Sequence, residues 1–221
     1  MSSIETGWLR YASLEVVNHH RTLAYLPAIG GGLTVTGEEC CHCDAIDEGP
    51  FTTPENDDAP WWEPTRPESG DFYGLLVTRM ELTGGQDRDV TQRAGGGASI
   101  GPPILRGRTL TVEAVMWAGN LAAMRWGELW LSETLSCGCG GCGLGDICVL
   151  PACPPEDSSI CEDDYFRVIP DAGLVGGGLV LGAPIANRGV ARSVAFQLTS
   201  RQGWLLGEPI LAAEGAFSTG S

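Results

Sequence analysis

The chain has no lysine; all 13 basic side chains are arginine, set against 28 acidic ones, for a formal net charge of −15. A balance that acidic excludes the broad basic face that nucleic-acid binding needs, and it disfavours an anionic membrane surface. Long apolar runs are also missing. No stretch reaches the ~18 residues of a membrane span. Residues 1–17 show no basic segment followed by an apolar one, so no secretory signal is read there and synthesis in a cytoplasm is expected. Catalytic signatures are missing too. There are three histidines, His19, His20 and His42, with no HExxH and no nucleophile-elbow GxSxG. Gly176-Gly177-Gly178 is not a phosphate loop, because no Lys-Ser/Thr pair follows it. The acid pairs Asp57-Asp58 and Asp163-Asp164 lack the spacing of a calcium loop. The expectation is a protein that is not an enzyme.

What the chain does have is glycine, 32 residues of 221, and a mean hydropathy of +0.02 with 43% hydrophobic residues. These describe a folded, turn-rich, mainly β protein. A single domain over 1–221 is expected, with α+β character from one helix. Its clearest element is the strand at 109–117, where Leu110, Val112, Ala114 and Met116 share one wholly apolar face. Asn120 is a good N-cap for a helix over about 120–136, with Leu121, Met124, Leu131 and Leu135 on one stripe and Ala122, Trp126, Leu129 and Trp130 widening it. That breadth predicts cover on more than one side.

Other strands are expected at 8–17, 21–26, 33–36, 71–82, 88–93, 165–170 and 188–200, the last with Val190, Val194, Phe196 and Leu198 facing one way. Turns are expected at 18–20 and 84–87. Residues 94–99 read as a flexible loop, Pro102-Pro103 as a stop, and 171–184 as a glycine-rich turn. The stretch 38–71 is acidic and proline-rich, hence a long loop. Trp61 and Trp62 in its middle either pin it to the body or dock a neighbour. Trp126 and Trp130 carry the same two readings, core packing or protomer contact.

The nine cysteines fall in two clusters: Cys40, Cys41 and Cys43 around His42, and Cys137, Cys139, Cys142, Cys148, Cys153 and Cys161 in a loop insert over 137–161. In a cytoplasmic product such a count points to metal or redox chemistry; a particle that works outside the cell is the exception. Three readings stay open. Cys139 and Cys142, with Cys148 and Cys153, could hold a structural zinc or an iron–sulfur cluster. Cys137, Cys142, Cys148, Cys153 and Cys161 could form disulfides, which the poorly apolar insert would need as crosslinks. The thiols could also stay free. A redox dithiol at Cys139–Cys142 lacks the helix N-terminus that would activate it.

The segments GLLVTRMELTGG, GPPILRGRTLTVEAVMWAGNLAAMRWGELWLSETL, YFRVIPDAGLVGGGLVLGAP and RGVARSVAFQLTSRQGWLLGEP, in that order around a cysteine-bearing stretch, resemble minor tail proteins of long-tailed phages of actinobacteria. Among these the likeness is greatest to the distal tail protein, over about two-thirds of the chain. The resemblance implies a tail-tube-like β-sandwich or split barrel with a crossing helix. It also implies a structural virion protein assembled as a ring, usually a hexamer, between the tail tube and the tail-tip hub, with a lumen for DNA. It brings no catalytic residues. Many distal tail proteins carry a second, carbohydrate-binding-like domain, expected here to be absent. The loop 38–71 departs from the family pattern and could reach a neighbouring protomer. Two alternatives stand beside this reading: another tail part (tube, terminator or minor tail subunit), and a zinc- or iron–sulfur-stabilised binding module.

Overall fold

A computed structural model describes residues 2–3, 7–26, 50–84, 86–93, 95–136, 145–150, 167–186 and 190–201. The fold is mainly β, with one long helix, as the sequence predicts. Its strands are β1 (Ser2–Ser3), β2 (Trp8–Tyr11), β3 (Leu14–Asn18), β4 (Phe72–Thr83), β5 (Gln86–Gln92), β6 (Ala98–Leu105), β7 (Thr109–Ala118), β8 (Gly145–Val149), β9 (Arg167–Leu181), β10 (Ile185–Ala186) and β11 (Val190–Ser200). The helices are α1 (His19–Tyr25) and α2 (Leu121–Ser136). Nine strands form one antiparallel sheet in the order β1-β4-β7-β11-β9-β8-β2-β3, with β10 hung on β11; β5 and β6 form a separate ribbon.

The centre of this sheet is β7. Its residues alternate between fully buried and half-buried along its length, and it pairs with β4 on one side and β11 on the other. Leu110, Val112, Ala114 and Met116 point to the same buried face as Val194, Phe196 and Leu198 of β11 and Met80 of β4. Each large apolar side chain so buried stabilises the fold by about 1.5–3 kcal/mol. The helix α2 lies across that face and touches β3, β4, β7, β9 and β11. The sheet curls, so that β3 and α1 return to β4, where the Thr22 hydroxyl donates to the Leu75 carbonyl at 3.2 Å. The architecture is thus one large antiparallel sheet, curled so that β3 meets β4, with α2 across its buried face.

Several sequence expectations are corrected. Residues 21–26 are not a strand, and 18–20 are not a turn. Asn18, with extended backbone (φ −141°), caps α1 by accepting from the Arg21 amide at 3.1 Å. The strand expected at 8–17 is a hairpin instead, turned at Ala12 and Ser13, both with positive φ (50° and 69°) as a two-residue primed turn requires. The strand expected at 88–93 exists as β5, but it pairs with β6 and not with the main sheet. Residues 98 and 99 belong to β6, which runs through Pro102 and Pro103. Proline is tolerated there because the ribbon has only two strands, both edges, and a register shift lies opposite. The glycine-rich stretch 171–184 is mostly the long strand β9. Its Gly176–Gly178 portion is a bulge: Val180 faces Ala195 while Val175 faces Gln197. On α2, Leu121, Ala122 and Leu129 are exposed, and the buried stripe is Ala123, Met124, Gly127, Trp130, Leu131 and Leu135. Within the expected loop insert 137–161, residues 145–149 are the strand β8, paired with β2 and β9.

Residues 33–36, 40–43, 165–166 and 188–189 lie outside the described residues.

Candidate assembly site

The acidic, proline-rich stretch settles, over its described part 50–71, into turns and a short 3-10 segment, Pro67–Asp71. It is held by aromatic rings. The ring of Trp61 is 2% exposed and meets those of Phe72 (5.4 Å), Trp130 (5.6 Å) and Tyr25 (6.3 Å) edge-on, the geometry favoured by ring quadrupoles. Its indole N–H donates to the Phe72 carbonyl at 2.7 Å. That carbonyl sits at a β-bulge, since Phe72 faces Ala118 and Gly74 faces Trp117, leaving Tyr73 as the extra residue. Gly74 has φ +104°, and a side chain there would meet the Thr22 hydroxyl and the Trp61 ring at 2.6 and 2.8 Å. The bulge therefore requires glycine both for its backbone angle and to admit the tryptophan.

From the helix side, Trp126 donates to the Trp61 carbonyl at 2.8 Å and Trp130 to the Pro60 carbonyl at 3.1 Å. These bonds satisfy backbone groups in a segment with no ladder of its own. Of the four tryptophans singled out in the sequence, Trp61 and Trp130 lie inside the chain's own core. Trp62 and Trp126 are half-buried, the latter with the Arg66 guanidinium 5.8 Å from its ring centroid. The helix is thus covered both by the sheet and by this segment.

A second anchor was invisible in the sequence. Arg21, 4% exposed, pairs with Glu15 at 2.9 Å, donates to the Asp57 carbonyl at 3.1 Å and to the Tyr25 hydroxyl at 3.4 Å, and lies 4.3 Å from the Phe51 ring centroid. The Tyr25 hydroxyl donates to the Asp57 carboxylate at 3.0 Å, which also accepts from the amides of Thr52 and Thr53. Burial raises the Glu15 pKa; Arg21 and the Asn18 amide, which donates at 3.0 Å, oppose that rise without cancelling it. Burial likewise raises the Tyr25 pKa and lowers that of His19, the latter aided by His20. The one available clue was Asn18 ahead of an Arg three residues on, a helix start that fixes where Arg21 points. Asp57 serves as a turn acceptor here, not as half of a cation site.

Cys148 stands half-buried on β8, between Arg10 of β2 and Val168 of β9. Cys137, Cys139, Cys142, Cys153 and Cys161, like Cys40, Cys41, His42 and Cys43, lie outside the described residues. Among the described residues no group of three or more His, Cys, Asp or Glu could hold a metal, and no helix is long and apolar enough to cross a membrane.

The ribbon β5–β6 extends beyond the sheet from the Thr83–Thr109 end of β4 and β7. Its tip turns through Gly96 and Gly97, both at positive φ, and Val90 and Ile100 are exposed as a directly opposed pair.

No protein-family model matches the chain, and no curated protein does. Among solved structures, it is similar to a chain of a cryo-EM structure of an extracellular contractile injection system, a PVC sheath–tube complex in the extended state. The TM-score is 0.26 and the identity 10%, over 57% of this chain and 76% of that one. A likeness at that level assigns neither a fold family nor a role.

Proposed function

We infer that the chain is a structural subunit of a phage tail, and within that class a ring-forming distal adaptor between tail tube and tail-tip hub. The observation that carries this reading is the order of parts. The segments that resemble distal tail proteins fold as β4, β6, β7, α2, β9 and β11; all but β6, which lies in the ribbon, belong to the main sheet or the helix that crosses it. The net charge of −15 suits a wall past which DNA must slide without sticking. The tightly bonded 50–71 segment adds a rigid outer shelf, with Trp62 and Trp126 at its surface as candidate contacts for a neighbouring protomer or tail protein.

The test is assembly. The purified full-length chain, at micromolar concentration, is expected to form a closed oligomer of cyclic symmetry with a central opening in negative-stain class averages. A strictly monomeric species would sink the ring. In particles, copies sufficient for one ring fit the adaptor; many rings would instead indicate a tube subunit.

A further inference from the structure

We propose that the β5–β6 ribbon is an arm that docks on the outer face of β9–β11 in a second copy of this chain. The proposal rests on the oligomeric reading above and adds its contact. A two-stranded ribbon is marginal by itself in water. This one packs, among the described elements, chiefly on itself, and it leaves the opposed pair Val90 and Ile100 57% and 63% exposed. Pairing by its β6 edge is hindered because, of the adjacent Pro102 and Pro103, one removes a donor from the free edge. A face, not an edge, is what the arm has to offer.

A matching face exists elsewhere on the same chain. Val180 faces Ala195 and Ile185 faces Ala191 across the β9–β11 and β10–β11 ladders. On β11 the side chains of Ala191 and Ala195 alternate with the buried Val190, Val194 and Phe196, so this row lies on the sheet's outer side. Val180 and Ile185 are 59% and 69% exposed.

The arm cannot readily serve its own face. It leaves β4 and β7 at the Thr83–Thr109 end, whereas Ile185 sits beside Ala191, which pairs with Trp117 at the opposite end of β7. Those ends are separated by roughly 25–30 Å of strand, at about 3.3 Å per residue; Val180, beside Ala195 and so level with Glu113, lies about half-way between them.

Charge favours a second copy as the occupant. Segment 86–108 holds Arg88, Arg93, Arg106 and Arg108 against Asp87 and Asp89, a net +2. With −15 for the whole chain, the remainder stands at −17. The arm therefore approaches an identical body as the less acidic partner, which steers the encounter. Arm and face are different surfaces, so the contact is head-to-tail and closes into a ring when the rotation permits.

The experiment uses the full-length chain and three single variants: Val90→Asp and Ile100→Asp on the arm, Val180→Asp on the face. All three positions are exposed, so each variant should stay folded, with the wild-type circular dichroism spectrum at room temperature; the second arm variant guards against misfolding at either arm position. Native mass spectrometry reads the assembly state. The expected result is an oligomeric wild type, monomeric arm and face variants, and a heterodimer when an arm variant is mixed with Val180→Asp, since one intact arm and one intact face then remain. Variants that stay oligomeric overturn the arm contact while leaving a ring possible. Monomeric variants whose mixture stays monomeric overturn the arm-to-face pairing. A monomeric wild type overturns the ring reading itself.

Discussion

Replacing Gly127 by alanine sets two effects of opposite sign against each other. Gly127 lies in the middle of α2, where alanine is normally better by about 0.8–1 kcal/mol, because glycine gives up more backbone freedom. Here a methyl group would enter the ring of Phe72 at three of its carbons, well inside van der Waals contact. That ring is fully buried, with Trp61 5.4 Å away on one side and Trp130 6.3 Å on another, so it has no easy exit. Overpacking of this kind costs about 1–3 kcal/mol, and a boxed-in ring belongs at the upper end. The net expectation is a loss of about 2 kcal/mol, or roughly 4–8 °C in Tm for a chain of this size. Thermal unfolding by circular dichroism measures it. Ala122→Gly, on the exposed side of the same helix, calibrates the propensity term and should lose about 1 kcal/mol. In the double variant Gly127→Ala with Phe72→Leu, the smaller side chain makes room, so the combined loss should fall short of the sum by about 0.5–3 kcal/mol. A higher Tm for Gly127→Ala alone, or strict additivity in the double variant, would refute the close fit of helix and bulge.

Three further outcomes are expected. Trp61→Phe keeps an aromatic ring but leaves the Phe72 carbonyl without its indole donor, and should lower stability by about 1–3 kcal/mol, read as a lower denaturant midpoint with an unchanged slope. Arg21→Met leaves Glu15 buried without its cation, a loss of about 3–5 kcal/mol at neutral pH. The Glu15 pKa is already raised in the fold, so the native state takes up a proton more readily than the unfolded chain, and the variant should recover stability as pH falls through the raised native value. A loss that grows on acidification would contradict this. For the cysteines, we expect non-reducing mass spectrometry of the full chain to find crosslinks among Cys137, Cys142, Cys148, Cys153 and Cys161; stoichiometric zinc or iron surviving dialysis would instead favour a metal centre using Cys139 and Cys142.

How much was legible in the sequence differs from element to element. The strand β7 and the helix α2 could be read directly because each buries one face, and burial writes its own period into the side chains. Asn120 marked the start of α2 because capping is a local bond; in the fold it accepts from the Ala123 amide at 2.9 Å. Where the period is short or the glycine content high, the reading failed. The seven residues of α1 show too few turns to be told from a strand, and β9 hides its extension behind a glycine bulge. The ribbon's prolines looked like a stop because the sequence does not say that β6 is an edge.

Composition and residue order determined that this chain is acidic, mainly β and built around one strand–helix unit, since those properties follow from charge counts and local periodicity. Only the tertiary structure decided the fate of the aromatic and charged residues in between. Trp61 is sealed against Phe72 and Trp130, and Arg21 is buried with Glu15 and Asp57, because the rolled sheet brings β3 and α1 onto β4 and lays 50–71 over the join. Two of these pairings, Trp61 with Trp130 and Arg21 with Asp57, join residues dozens of positions apart along the chain. The same roll leaves Val90, Ile100, Val180 and Ile185 outside, the first two on the ribbon and the others on β9 and β10.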